Sequence, residues 1–255
     1  MLNNRKISLE ICTGSIDSCL QAQKGGADRV ELCDNLFEGG TTPSYATIVY
    51  AKEHLNIDIM VMIRPRGGDF FYNDIEFSLM KEDILMCRKI GVKGVVFGIL
   101  TKEGDIDKTR TKELVEIADG MQTCFHRAID MTKDYFHSAQ DIIDCGCTRI
   151  LTSGQRNKAI QGMENIAKLQ QIFGNQIEIM AGSGVNTENI EELFEKTKIR
   201  NYHFSAKKTI DSSMIFRQPN VSMGGKDLNE YDIIQTDCEK VKKMRSILDN
   251  LQTSL

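Results

Sequence analysis

Apolar and polar residues alternate strictly in two short stretches near the start of the chain, Leu9-Glu10-Ile11-Cys12 and Val30-Glu31-Leu32-Cys33. A period of two predicts strands, with Glu and Cys on one face of each and the aliphatic residues on the other. A carboxylate on so apolar a strand needs a partner. If the two strands are parallel neighbours, about 4.8 Å apart, Cys12 and Cys33 come close enough for one soft metal ion to bridge both thiolates. The competing reading is that both thiols simply fill a core, as buried cysteines often do.

The same patterning continues along the chain. Ser15 is a credible cap for a helix through Lys24, closed by Gly25-Gly26, and a second helix runs to about His54 after a loop from Asp34 to Ser44. Continuous apolar runs predict strands at Asp58–Arg64 and Gly94–Gly98, as for parallel strands covered on both faces. Further strands are expected at Met121–His126, Arg149–Leu151, Gln176–Met180 and Arg200–Phe204. Helices are expected over Asp74–Ile90, with Ile75, Leu79, Ile84 and Met86 as its apolar face, and over Lys108–Asp119, Tyr135–Cys145 and Lys158–Phe173, with another opening near Asn186. An irregular stretch to about Gln235 then precedes a last helix, Thr236–Leu251. Eight strands alternating with helices, without a linker, predict one domain over residues 1–255: a closed α/β barrel of the (β/α)8, or TIM-barrel, class. An open doubly wound sheet is the runner-up, but Thr13-Gly14-Ser15 is not the dinucleotide fingerprint it would want after its first strand.

Composition narrows the partners. The 255 residues carry 32 basic and 36 acidic side chains, a formal net charge of -4 with both signs mixed along the chain. That balance gives no reason to expect nucleic acid or an acidic membrane as partner. No run is long and apolar enough for a spanning helix, and Met1-Leu2-Asn3-Asn4-Arg5-Lys6 lacks the apolar core of a signal peptide, so a cytoplasmic protein is expected. The eight cysteines, with no C-x-x-C pair, then read as reduced thiols. Six are structural on this reading, although Cys124 shares a face with His126 and is a weak third metal ligand.

Polar residues collect at the predicted strand C-termini, where TIM barrels build their sites: Glu10, Glu31, Arg64, Arg66, Asp69, His126, Arg127, Asp130, Thr152, Ser153, His203, Ser205 and Lys207. Buried charges require pairing, and the expected pairs are Glu10 and Glu31 with Arg64 or Arg127. Gly182-Ser183-Gly184 before a helix, with Ser205 and Lys207 after the eighth strand, is similar to the amide cradle that barrels use for phosphate.

Four strings fall in the order seen in one family: Glu31-Leu32-Cys33 with Glu38-Gly39-Gly40-Thr41-Thr42-Pro43-Ser44; Met62-Ile63-Arg64-Pro65-Arg66-Gly67-Gly68-Asp69-Phe70; Phe125-His126-Arg127-Ala128; and Leu151-Thr152-Ser153-Gly154. From about Glu10 to Gly224 the chain resembles the CutC family, named for copper homeostasis. The resemblance implies a TIM barrel, often a homodimer, with Cys12 and Cys33 as Cu(I) ligands. Two readings of function follow. The first is a copper-handling protein with Cu(I) at Cys12 and Cys33. The second is an enzyme of lyase, isomerase or hydrolase type acting on a small anionic or phosphorylated metabolite. It would use Arg64, Arg66, Asp69, Arg127, Ser153, Gly182, Gly184, Ser205 and Lys207 for binding, His126 or His203 as acid or base, and Glu10 or Glu31 as partner carboxylate.

Overall fold

The computed structural model describes residues 6–221, 223 and 229–253. Eight parallel strands close a barrel in chain order: β1 (Ser8–Thr13), β2 (Arg29–Leu32), β3 (Asp58–Met62), β4 (Gly94–Phe97), β5 (Gln122–Phe125), β6 (Arg149–Thr152), β7 (Glu178–Ala181) and β8 (Asn201–Phe204), which pairs back onto β1. Helices α1 (Ile16–Lys24), α2 (Tyr45–His54), α3 (Asp74–Ile90), α4 (Lys108–Ala118), α5 (Tyr135–Asp144), α6 (Met163–Phe173) and α7 (Ile190–Thr197) return the chain between strands. The expected TIM barrel is the fold formed.

Strand alternation sorts the side chains into two cores. Leu9, Ile11, Val30, Leu32, Val95, Phe125 and Ile150 point outward and are buried under the helices. The positions between them point inward, where Cys33, Met60, Met62, Val96, Cys124, Leu151 and Met180 form a separate cluster with Cys12 packed against it. At the N-terminal ends of β6 and β7, Arg149 Nη2 meets Glu178 Oε2 at 2.8 Å. An ion pair thus plugs the floor, and the chemistry of interest lies above it.

Local signals place the helices. Ser15 accepts from the Ser18 amide at 3.2 Å and starts α1, while Asn73 and Glu76 form a reciprocal capping box on α3. The bounds expected for α3 are met, but its buried face is Phe77, Met80, Ile84 and Cys87, with Ile75 and Leu79 exposed by 74% and 54%. The stripe that contains the aromatic ring wins, because it takes more apolar area out of water.

Two further expectations are corrected. The helix expected near Asn186 begins at Ile190, because residues 187–189 form a turn first. The stretch expected to be irregular contains an antiparallel ribbon, β9 (Lys207–Asp211) with β10 (Asp232–Thr236). Neither ribbon strand has a fully buried face, so neither carries the apolar stripe that marks a barrel strand in the sequence. Residues 222 and 224–228 of that stretch, including Gly224 where the resemblance ends, lie outside the described residues. The last helix, α8 (Cys238–Thr253), lies against α1, and a Cβ on Gly25 would sit 2.5 Å from Val241 Cβ, so this contact requires glycine.

Candidate metal centre

Strand register builds the site. Glu10 of β1 stands opposite Arg29 of β2 on one side and His203 of β8 on the other, while Cys12 stands opposite Glu31. Cys33 lies one residue beyond β2 and is held in register by its amide, which donates to the Thr13 carbonyl at 2.9 Å. Inward-facing Glu10, Cys12, Glu31, Cys33 and His203 therefore converge at the C-terminal end of three adjacent strands. Ligand-type atoms of Cys12, Glu31 and Cys33 all lie within 4.8 Å of one another, and so do those of Glu10, Glu31 and His203.

The contacts form a directed chain. Arg29 Nε donates to Glu10 Oε2 at 2.5 Å, and Glu10 Oε1 lies 2.8 Å from His203 Nδ1. The opposite ring nitrogen, Nε2, is 3.8 Å from Glu31 Oε2, and the imidazole charge also acts on the Cys12 sulfur. The Cys33 thiol donates to Glu31 Oε2 at 3.4 Å. Glu31 is 2% exposed, yet its Oε1 has no protein partner. A buried carboxylate oxygen without a partner is costly, and such atoms concentrate where a ligand is to be held.

Electrostatics sorts the protons. Burial pushes Glu10 up, but Arg29 and His203 outweigh it and hold the carboxyl far below its usual range. Burial, together with the negative charges at Cys12 and Glu10, pushes Glu31 up to about 8. The neighbouring Cys33 thiol, the His203 ring and the Lys207 charge draw the Cys12 thiol well below its ordinary 9.0 despite burial. Cys33 is driven the other way by its bond to Cys12, by burial and by Glu31. Burial opposes charge on His203, but Glu31, Cys12 and Glu10 raise it well above 6.5. Glu10 is thus held as a carboxylate between the Arg29 guanidinium and the His203 ring, and Cys12 is drawn towards thiolate beside them, so each buried charge has an opposite one near it.

A loop roofs the thiols. Leu36 packs against the interior cluster, and Gly40, at φ +92°, passes so close that a Cβ there would lie 3.2 Å from Cys33 Sγ. Arg64, 4% exposed, fastens this loop by donating to the carbonyls of Glu38 at 2.6 Å, Gly40 at 2.9 Å and Gly68 at 2.8 Å. Cys12 is the half-buried member of the pair and Cys33 the buried one.

The remaining members of the expected ring lie elsewhere. The predicted pairing of Glu10 and Glu31 with Arg64 or Arg127 is not formed: Arg64 is consumed by carbonyls, and Arg127 by Asp130 at 3.0 Å and Ser153 at 2.8 Å. Asp130 in turn accepts from Thr152 Oγ1 at 2.6 Å and from the Ser153 amide at 2.9 Å, tying the β5 and β6 loops together. Arg66 is bound to Glu76 at 2.6 Å and Asp69 at 3.0 Å. His126 is buried against Phe70 and accepts from the Ala128 amide at 3.2 Å; burial and the Arg64 charge push it down to about 3, so it is a neutral ring. Gly182, Ser183 and Gly184 do not lead straight into a helix: Ser183 Oγ donates to Asn157 O at 2.7 Å, and the Lys158 side chain packs over Gly184. Ser205 is half-buried, and Lys207 opens the outer ribbon with its charge acting on Cys12. Cys124 lies inside the barrel, but its thiol is pushed up by burial and faces the Phe125 carbonyl at 3.8 Å.

Arg29 is the member that reading the sequence missed. The signal was present: Arg29-Val30-Glu31-Leu32-Cys33 alternates, which places Arg29 on the inward face with Glu31 and Cys33. It escaped notice because it sits at the start of its strand, away from the C-terminal ring.

Fold and site together define a TIM barrel with a thiol, carboxylate and imidazole cluster built into its mouth. The chain belongs to the CutC family, whose model matches residues 7–208. It is 44% identical to a family protein CutC of Chromobacterium violaceum over 94% of this chain and 98% of that one. It is 39% identical to the human copper homeostasis protein cutC homolog, over 95% and 89%. A crystal structure of the copper homeostasis protein CutC of Streptococcus agalactiae superimposes with a TM-score of 0.75 at 38% identity, covering 78% of this chain and 98% of that one. The resemblance read from the four strings is borne out. No helix among the described residues is long and apolar enough to cross a membrane.

Proposed function

We propose that this protein binds Cu(I) through Cys12 and Cys33 and takes part in copper handling in the reducing cytoplasm, with no nucleic-acid or membrane partner. The observation that carries the reading is the thiol pair itself, with ligand atoms within 4.8 Å of each other and one thiol already drawn towards thiolate. Cu(I) is soft and accepts low coordination numbers, so two thiolates suffice, and the adjoining thioethers of Met60, Met62 and Met180 keep the site apolar and soft. Cys12 is the more exposed sulfur, which suits it to receive and release the ion by ligand exchange. All eight cysteines are free, as a reducing compartment requires.

The metabolite-enzyme reading has less support, because two of the three cations it needs as clamps, Arg64 and Arg66, are already engaged within the protein, which leaves it Lys207. The homodimer expected from the sequence stays within the proposal. Ile75 and Leu79, exposed together on α3, offer it an apolar face, and sedimentation checks it. The test of the Cu(I) reading is an anaerobic titration against a chromophoric Cu(I) chelator. About one Cu(I) per chain is expected, with at least about 100-fold weaker binding in Cys12→Ala and Cys33→Ala. Unchanged binding in both variants would refute it.

A further inference from the structure

We infer that the same centre also holds a zinc-type divalent ion, in a four-ligand shell made of Cys12, Cys33, Glu31 and the Nε2 of His203. The inference shares with the Cu(I) reading the premise that the two thiols bind metal. It goes further in assigning ligand roles to a carboxylate and an imidazole that a two-thiolate Cu(I) site leaves unused.

Three observations carry it. The first is donor chemistry. Two sulfurs, one imidazole nitrogen and one carboxylate oxygen are the ligand types that Zn(II) takes in tetrahedral sites, whereas a soft monovalent ion has no need of the harder pair. The second is distance. Zinc-ligand bonds of about 2.0–2.3 Å in a tetrahedron put neighbouring ligand atoms about 3.3–3.8 Å apart. Cys33 Sγ is 3.4 Å from Glu31 Oε2, that oxygen is 3.8 Å from His203 Nε2, and Cys12, Glu31 and Cys33 offer ligand atoms within 4.8 Å of one another. Glu31 is thus shared by the thiol pair on one side and the His203 ring on the other, and drawing Cys12 and His203 towards each other around it closes the four-ligand shell.

The third observation is the support behind the ligands. Metal-bound histidines commonly donate their second ring N–H to a carboxylate, which fixes tautomer and orientation. Here Glu10 Oε1 takes that bond from His203 Nδ1 at 2.8 Å, and Arg29 holds the other Glu10 oxygen at 2.5 Å. Both oxygens of Glu10 are spent, so Glu10 orients the ring and is not itself a ligand. Nε2 is left facing Glu31. Glu31 supplies the independent sign of a ligand: it is 2% exposed, and its Oε1 has no protein partner.

The test uses the full-length, reduced protein under anaerobic conditions, with Co(II) as a spectroscopic probe, Zn(II) as competitor and Cu(I) titrated in parallel. The wild type is expected to give the intense visible bands of tetrahedral Co(II) with thiolate charge transfer, lost when Zn(II) is added. Glu31→Gln and His203→Gln are each expected to weaken Co(II) binding at least about 10-fold and by clearly more than they weaken Cu(I), and Glu10→Gln to weaken Co(II) by about 10-fold. X-ray absorption at the zinc edge of the wild type needs no variant to fold, and two sulfur and two nitrogen or oxygen scatterers with imidazole outer-shell features are expected. Cu(I) binding without tetrahedral Co(II), Co(II) binding indifferent to Glu31→Gln and His203→Gln, or a zinc shell without imidazole would each overturn the inference and leave the Cu(I) reading standing. Failure of both metals to bind would overturn both.

Discussion

Replacing Glu31 by Gln is expected to stabilise the metal-free protein at neutral and alkaline pH while weakening its metal centre. Burial, then the negative charges of Cys12 and Glu10, push this carboxyl from an ordinary 4.5 up to about 8. The folded protein therefore keeps a proton that the unfolded chain releases. The stability tied to that proton is fully present below about pH 4.5 and is lost as pH rises towards about 8. At about 1.4 kcal/mol per pH unit, the whole interval is worth at most about 5 kcal/mol. Gln has the shape of the protonated acid and never ionises, so it removes that loss. Part of the gain is returned, because Glu31 is the largest of the interactions that favour the His203 imidazolium. A net gain of about 1–3 kcal/mol near pH 8 is expected, which for a chain of this size raises the melting temperature by several degrees. Urea unfolding with chelator and reductant, compared at about pH 5 and about pH 8, reads it directly. The variant should match the wild type at the acid end and exceed it at the alkaline end. Equal destabilisation at both would refute the reasoning, since Glu31 would then be an ionised, fully satisfied carboxylate.

Arg29→Met leaves buried Glu10 with His203 as its remaining charged partner and is expected to cost about 3–5 kcal/mol in urea unfolding. Arg64→Met strips three loop carbonyls of their donor; a loss of about 3 kcal/mol and faster proteolysis between residues 36 and 41 are expected. Gly40→Ala forces a Cβ to 3.2 Å from Cys33 Sγ at φ +92°, so both stability, by about 1–2 kcal/mol, and Cu(I) affinity should fall, the latter measured by chelator competition. His126 is neutral in the fold down to about 3 but titrates at an ordinary 6.5 when unfolded, so its contribution is present above pH 6.5 and lost on acidification. His126→Phe should flatten stability against pH on the acid side, and an unchanged acid slope would show that the ring is charged.

The site was legible in its parts and not in its wiring. The Glu-x-Cys echo named four of the residues that converge at the mouth, because strand alternation is a property of the backbone alone. His203 appeared as one of thirteen polar residues near strand ends, and nothing in its local sequence tied it to Glu10, 193 residues away. That contact exists because barrel closure pairs the last strand with the first. The expected partners of the glutamates were wrong for the same reason. Arg64 and Arg127 are nearer in the list of loop charges, but the register places Arg29 and His203 beside Glu10, and loop carbonyls and Asp130 claim the other two. The face of α3 was misjudged because its apolar residues permit two stripes, and the sheet beneath selects between them.

By itself the sequence determined the strand and helix order, the cap at Ser15, the barrel class and the inward direction of Glu10, Cys12, Glu31 and Cys33. These depend on residue periodicity and on groups within one or two turns of each other. Tertiary structure alone decided that Arg29, Glu10 and His203 form one hydrogen-bonded chain, that Arg64 ties down a roof and that His126 is sealed off as a neutral ring. Those outcomes depend on which strands become neighbours and which charges lose their water together, and a linear pattern does not encode either.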